Sequence, residues 1–400
     1  MPLGNNNKVT RERKAAIVII NFTSSKRVQT ILTVLAICEE MPRGISKLLG
    51  NDVTYRRLIN EMCEKQSYRN GEAGEVLECK ALNVSGKGRE KNVRLTRQGK
   101  ELLRWLDYGI YSEAVERSNL SGRETNIERH HRIAEAVVMM HRAEIEYRPW
   151  KLIPLQTEIK SERIAKPSFY GSREFRGDMS HRAKRYTFTR IVGVVMTSKK
   201  VYTVYNTRER VMKWGGAGET RAKMYVGNFA SQNTQSDTVY STILMSTTLK
   251  NALDTVFESD RLTTRRSTYI GEAGMNRLYD NIHFVPLDDF GVKILRILVE
   301  DDFEEKLFRL IFDESERASI QDTFIYDAKS NGKYICSFLS GDINKLIRFK
   351  KGSAGIESSC AVLCYKEQLP SLKEYLGERY EYQTVEIDEV LRELTEKGVD

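Results

Sequence analysis

The chain has 400 residues, 40% hydrophobic and 30% charged, with a mean hydropathy of −0.48, enough for two or three domains with cores of their own. Its net charge of +9 is unevenly spread: residues 1–108 hold 20 Lys+Arg against 12 Asp+Glu, residues 109–225 hold 23 against 13, and residues 226–400 hold 21 against 30. That pattern points to a polyanion-binding first half and an acidic rear suited to protein contact; six scattered cysteines exclude a disulfide framework, and no apolar run approaches the ~20 residues of a membrane span.

Residues 1–26 read as a basic N-terminal arm. RVQTILTVLAICEE (27–40) has Val28, Ile31, Leu32, Leu35 and Ala36 at the spacing of a helix with one buried face. After the break MPRG, ISKLLG reads as a second, short helix closed by Gly50. In NDVTYRRLINEMCEKQ, Asn51 or Asp52 can cap a third helix whose stripe of Tyr55, Leu58, Ile59 and Met62 faces a core. Thr54, Arg56, Arg57 and Asn60 point the other way and carry the groups that bond phosphates and base edges.

VLECKALNV (76–84) and NVRLT (92–96) read as strands joined by the Gly-bearing loop SGKGREK, with Lys87, Arg89 and Lys91 at the tip. TRQGKELLRWLD then reads as a helix entered at Thr96, with Leu102, Leu103 and Leu106 facing inward. Helix, helix, helix, hairpin, helix over 27–108, with Leu95-Thr96-x-x-Gly99-x-x-Leu102-Leu103, resembles winged helix-turn-helix DNA-binding domains. The resemblance implies a third helix in the major groove of double-stranded DNA and a hairpin along the adjacent backbone. Such readers commonly bind two half-sites, which implies a homodimer.

Residues 109–125 lose periodicity and read as a linker. From 126 a mixed α/β region begins, subdivided near 230–300, and it opens with the helix IERHHRIAEAVVMMHRAEIEY. His131 with Glu135 lacks a third ligand, and Cys360 with Cys364 lacks a second pair, so no metal and no cofactor are expected. RYTFTRIVGVVMT and KKVYTVYNT read as paired strands with interleaved cations and aromatics, a secondary basic surface including Lys184, Arg185, Lys199 and Lys200. STILMSTTLKNALDTVF (241–257) reads as a helix, CAVLCYK as a buried strand, QLPSLKEYLGE as a helix, YQTVEID as a strand and EVLRELTEKG as a last helix.

Winged helix, linker, His-bearing helix, Arg-Gly-Asp and strands are together similar to the replication–relaxation family of Gram-positive plasmids and conjugative elements, over about 27–215. That resemblance implies a restriction-endonuclease-like fold in the second part. Cleavage in such a fold needs one acid before a strand and an acid-x-Lys on it. Asp178 is a candidate for the first acid, but RIVGVVMT lacks the rest, and Glu219 with Lys223 is spaced one residue too wide. The site reads as degenerate. The expectation is a cytoplasmic, sequence-specific DNA-binding protein of a mobile element, an accessory or initiator of replication or relaxation. Two alternatives stand beside it: a metal-dependent nicking enzyme using Asp178 and Glu219, and a transcriptional regulator with a C-terminal sensing domain.

Overall fold

Strand β1 (Ile19–Asn21) and helix α1 (Lys26–Cys38) begin the part of the chain that the computed structural model describes, namely residues 19–21, 25–69, 74–86, 91–116, 127–156, 158, 162–172, 174, 190–236, 238–266, 273–318, 324–356 and 359–396. Ser25 caps α1 by accepting from the Val28 amide, and Val28, Ile31, Leu32, Leu35 and Ala36 are buried. After β2 (Glu40–Pro42) comes a 3-10 turn, Arg43–Lys47, where an α-helix over ISKLLG was expected. Seven residues between Pro42 and Gly50 are too few to sustain α-helical bonding. Helix α2 (Asp52–Met62) follows, then β3 (Gln66–Arg69) and β4 (Val76–Cys79), β5 (Leu82–Ser85) and β6 (Asn92–Leu95), and α3 (Arg97–Leu106).

The hairpin doubles back as expected, but only Leu82–Ser85 pairs with Asn92–Leu95. The single strand expected over 76–84 breaks at Lys80–Ala81, and its halves enter different three-stranded sheets, β1-β3-β4 and β2-β6-β5. Thr96 explains the break: its hydroxyl donates to the Lys80 carbonyl at 2.6 Å and its amide to the Ala81 carbonyl at 3.0 Å. The same hydroxyl caps α3 by accepting from the Gly99 amide at 2.8 Å. The Leu-Thr-x-x-Gly motif is therefore a clamp between a helix start and a strand break. Gly99 completes it, because a Cβ there would stand 2.0 Å from the Ala81 oxygen.

Residues 109–116 of the expected linker are helical, and Ala114 is buried; 117–126 lie outside the described residues. Helix α4 (Ile127–Arg142) leads into a five-stranded sheet of order β11-β10-β9-β8-β7. Strands β7 (Ser168–Gly171), β8 (Ile191–Met196) and β9 (Val201–Arg208) form an antiparallel meander. After α5 (Gly216–Asn233), β10 (Ser241–Ser246) joins β9 in parallel, and after α6 (Leu249–Arg266), β11 (Asn281–Pro286) joins β10 in parallel. STILMS is thus a central strand and not the first turns of a helix. An apolar run this short, buried on both faces, carries no periodicity to tell the two apart.

Helices α7 (Asp289–Leu298) and α8 (Phe303–Ile311) precede a second sheet, β12-β13-β14-β15. Its strands are β12 (Ala328–Ser330), β13 (Lys333–Ser337), β14 (Cys360–Tyr365) and β15 (Glu381–Val385), the last three parallel. Helices α9 (Ile343–Gly352) and α10 (Leu369–Leu376) make the crossovers, and α11 (Ile387–Glu396) ends the described chain. The fold is mixed α and β with several mixed sheets. One apolar cluster runs from Val28 through α4 to Leu394, so the N-terminal elements and the sheets share a core. Among the described residues no helix is long and apolar enough to cross a membrane.

Gly99→Ala should lower unfolding stability by about 1–3 kcal/mol, because overpacking against a backbone oxygen has no flexible side chain to absorb it. Urea unfolding checks this; an unchanged midpoint would mean that α3 shifts freely.

Candidate nucleic-acid interface

Helix α2 starts where Asn51 Oδ1 accepts from the Thr54 amide at 3.0 Å, with Asp52 in the first turn complementing the helix dipole. Tyr55, Ile59 and Met62 are buried, Leu58 half-buried. The opposite face is an open stripe of Val53, Arg56, Arg57 and Asn60, at the i, i+3, i+4, i+7 spacing. Thr54 sits at its margin, half-buried. Arg56 pairs with Asp52, and Arg57 Nε donates to Glu61 at 2.7 Å, yet the two arginine side chains are 54% and 77% exposed. Exposed pairs of this kind contribute little, so exchanging the carboxylate for a phosphate or a guanine edge costs little.

The 3-10 turn links this stripe to the hairpin. Arg43 Nη2 donates to Asn60 Oδ1 at 2.7 Å, and the Arg43 amide donates to the Lys91 carbonyl at 2.8 Å. Lys91 is half-buried at the hairpin base; Lys87 and Arg89 lie outside the described residues. Gly86, with φ +86°, turns the chain toward the tip.

Between these elements and the carboxyl ends of β9, β10 and β11 opens a cleft of about 950 Å³. Arg43, Lys47, Arg56 and Lys91 line one wall. Glu128, Glu135, Arg208 and Arg210 line the other, and Thr247 and Leu287 close the strand ends. Carboxyl ends of parallel strands are a common place for ligands in α/β folds. A β-bulge directs this wall: the β9–β10 register passes from Asn206↔Met245 to Arg208↔Ser246, leaving Thr207 as the extra residue. Arg208 takes φ +57°, and its carbonyl accepts from the Thr247 amide at 3.0 Å and the Ser246 hydroxyl at 3.1 Å. Its side chain donates to Glu135 Oε1 at 3.0 Å, while Asn206 Nδ2 donates to Glu135 Oε2 at 2.9 Å. Burial raises the Glu135 pKa, and Arg208 and Asn206 oppose that rise.

The other expected residues are dispersed. Asp178, Lys184 and Arg185 lie outside the described residues. Glu219, on α5, is wholly buried and accepts from the Tyr205 hydroxyl at 3.0 Å, away from any substrate's reach. Lys199 and Lys200 occupy the β8–β9 turn, at the end of β9 opposite Arg208. They pair with Asp302 and Glu304, and Lys200 also stands 4.0 Å from the centre of the Phe303 ring. The aromatics of this sheet face the core: Tyr202, Tyr205 and Trp214 are buried, so the described part of the sheet is no stacking platform. Cys360 and Cys364 are buried thiols on β14, and burial raises the pKa of both, that of Cys364 to about 12. Among the described residues no group of three or more His, Cys, Asp or Glu is arranged to hold a metal ion. Arg43, Lys47 and the Glu135–Asn206–Arg208 set escape sequence reading, since Glu135 and Asn206 are 71 positions apart and only the sheet brings them together.

Comparison with family models, with curated proteins and with solved structures finds no match to this chain.

His131 ties the hairpin base to α4 through a 3.0 Å bond between Nε2 and Asn92 Oδ1. Burial and the Arg208 charge lower its pKa to about 4 from 6.5, so it is neutral in the folded chain at pH 7. Its contribution is complete above pH 6.5 and falls as pH drops toward 4, where only the unfolded chain binds the proton, a loss of about 2 kcal/mol by pH 5. Unfolding midpoints of wild type and His131→Gln should therefore converge between pH 7 and pH 5; a constant gap would contradict this.

Proposed function

We propose that the chain is a sequence-specific double-stranded DNA-binding protein of a mobile element, acting as an accessory or initiator of replication or relaxation. The observation that carries this reading is the exposed stripe of α2, which shares one side of the molecule with the hairpin base and the basic cleft wall. The order α1, β2, 3-10 turn, α2, hairpin, α3, with β6 paired between β2 and β5, supports a winged helix with one α-helix shortened. On that reading α2 enters the major groove, Arg56 and Arg57 read base edges, and Lys87, Arg89 and Lys91 hold the backbone. Arg43, Lys47, Arg208 and Arg210 extend the backbone contact into the cleft.

The antiparallel meander β7–β8–β9, followed by the parallel β10, supports a degenerate nuclease-like second part. β8, the strand on which an acid-x-Lys would be expected, reads IVGVVM without either residue, and the cleft end of β9 carries Asn206-Thr207-Arg208. An amide and a guanidinium bind a phosphate but neither gathers a divalent cation nor activates water, which favours holding DNA over cutting it. Binding as a homodimer and contact of the acidic region with a protein partner belong to the same proposal.

Duplexes captured by the full-length chain from a random pool should share a sequence, with affinity falling steeply with salt. Arg56→Ala with Arg57→Ala should cost roughly 1–3 kcal/mol per arginine on the captured sequence and relax its choice of bases. Triple replacement of Lys87, Arg89 and Lys91 by alanine should weaken all sequences alike and reduce the salt slope by up to about three units. Absence of salt-dependent duplex binding would overturn the reading.

A further inference from the structure

Val53 is the side chain least at home in its surroundings. It is 77% exposed, the most open large hydrophobic among the described residues, and it packs against neither apolar cluster. A β-branched residue is also a poorer helix former than alanine, lysine or glutamate, so neither packing nor propensity accounts for it. A single exposed apolar side chain is ordinary on a protein surface. This one, however, heads the same stripe as Arg56, Arg57 and Asn60.

Its presentation is also rigid. Asn51 caps the turn that carries it, and the Ser46 hydroxyl donates to Asp52 Oδ1 at 2.6 Å, tying that turn to the preceding 3-10 segment. The first turns of a groove-reading helix are the ones that meet base edges. In the major groove the apolar feature of a base edge is the 5-methyl group of thymine, which aliphatic side chains contact. We propose that Val53 is a specificity-determining contact that docks against a thymine methyl. This rests on the reading of α2 as the groove-reading helix and adds the identity of one base to it.

Deoxyuridine removes that methyl and leaves every hydrogen-bonding group of the base in place. The probes are the duplexes captured from the random pool, with each thymine replaced singly by deoxyuridine and affinity read by fluorescence anisotropy. For the wild-type chain, replacement at one position per half-site should weaken binding roughly three- to five-fold, the share of one buried methyl. Val53→Ala should bind the thymine duplex more weakly by a similar factor and no longer respond to deoxyuridine. Since Val53 is exposed and alanine favours the helix, the variant should unfold at or above the wild-type midpoint. A captured sequence in which every thymine is replaceable without loss overturns the proposal. So does a Val53→Ala variant that keeps the full wild-type response. If duplexes bind and Arg56→Ala with Arg57→Ala relaxes their sequence, but no methyl matters, only the assignment of Val53 fails. If no duplex is captured, the groove-reading role of α2 fails with it.

Discussion

From Ala134 to Met140 every side chain of α4 is buried, and a helix buried all round must have a partner on each side. Its partners are α1 and β2 on one side, and β7, β8, β9 and α7 on the other. The N-terminal elements and the five-stranded sheet are thereby two coats on one helix. Its buried polar residues are bridges: His131 reaches Asn92 at the hairpin base, and Glu135 receives Asn206 and Arg208 at the sheet. At the end of α4, Arg142 donates to the Leu48 carbonyl at 3.0 Å and to Asp289 at 2.6 Å. Polar groups so placed in a core favour one relative arrangement of its parts, because any other leaves them unsatisfied. The open stripe of α2 and the strand ends across the cleft are therefore held at a set spacing.

Charge counted along the chain does not translate directly into charge on a surface. The basic middle segment supplies Lys199 and Lys200, yet both are matched by acids of the C-terminal half, Asp302 and Glu304. Part of the acidic rear is thus engaged in surface ion pairs within the chain itself. Around the cleft the cations also have carboxylate neighbours, Arg56 with Asp52, Arg208 with Glu135 and Arg210 with Glu128 at 3.8 Å. These pairs hold the side chains in place without burying their charge entirely.

Elements with a strong one-sided period were readable from the sequence. The stripes of α1 and α2, the inward Leu102 and Leu103 of α3, and the alternation of strand and helix after Cys360 all appear within a few residues of expectation. The misses follow from interactions distant in sequence. β3 gains its place only by pairing with β1 and β4, and the break at Lys80–Ala81 depends on Thr96, 16 residues away. Ser241–Ser246 becomes a strand because β9 and β11 flank it. Of the site, the polar face of α2 was legible, since a helix shows its outward residues by omission from the core. The cleft was not, because its lining residues come from separate segments spread between Pro42 and Leu287.

The extra residue at Thr207 sets which way Arg208, the last residue of β9, points. Excising it would let the ladder with β10 run straight to its end, and a shift of one residue in a strand reverses which way each later side chain points. Arg208 would then turn its guanidinium away from α4, and Glu135 would lose that charge-assisted bond and keep the Asn206 amide. The mouth of the cleft thus owes the direction of its Arg208 guanidinium to a single irregularity in backbone pairing.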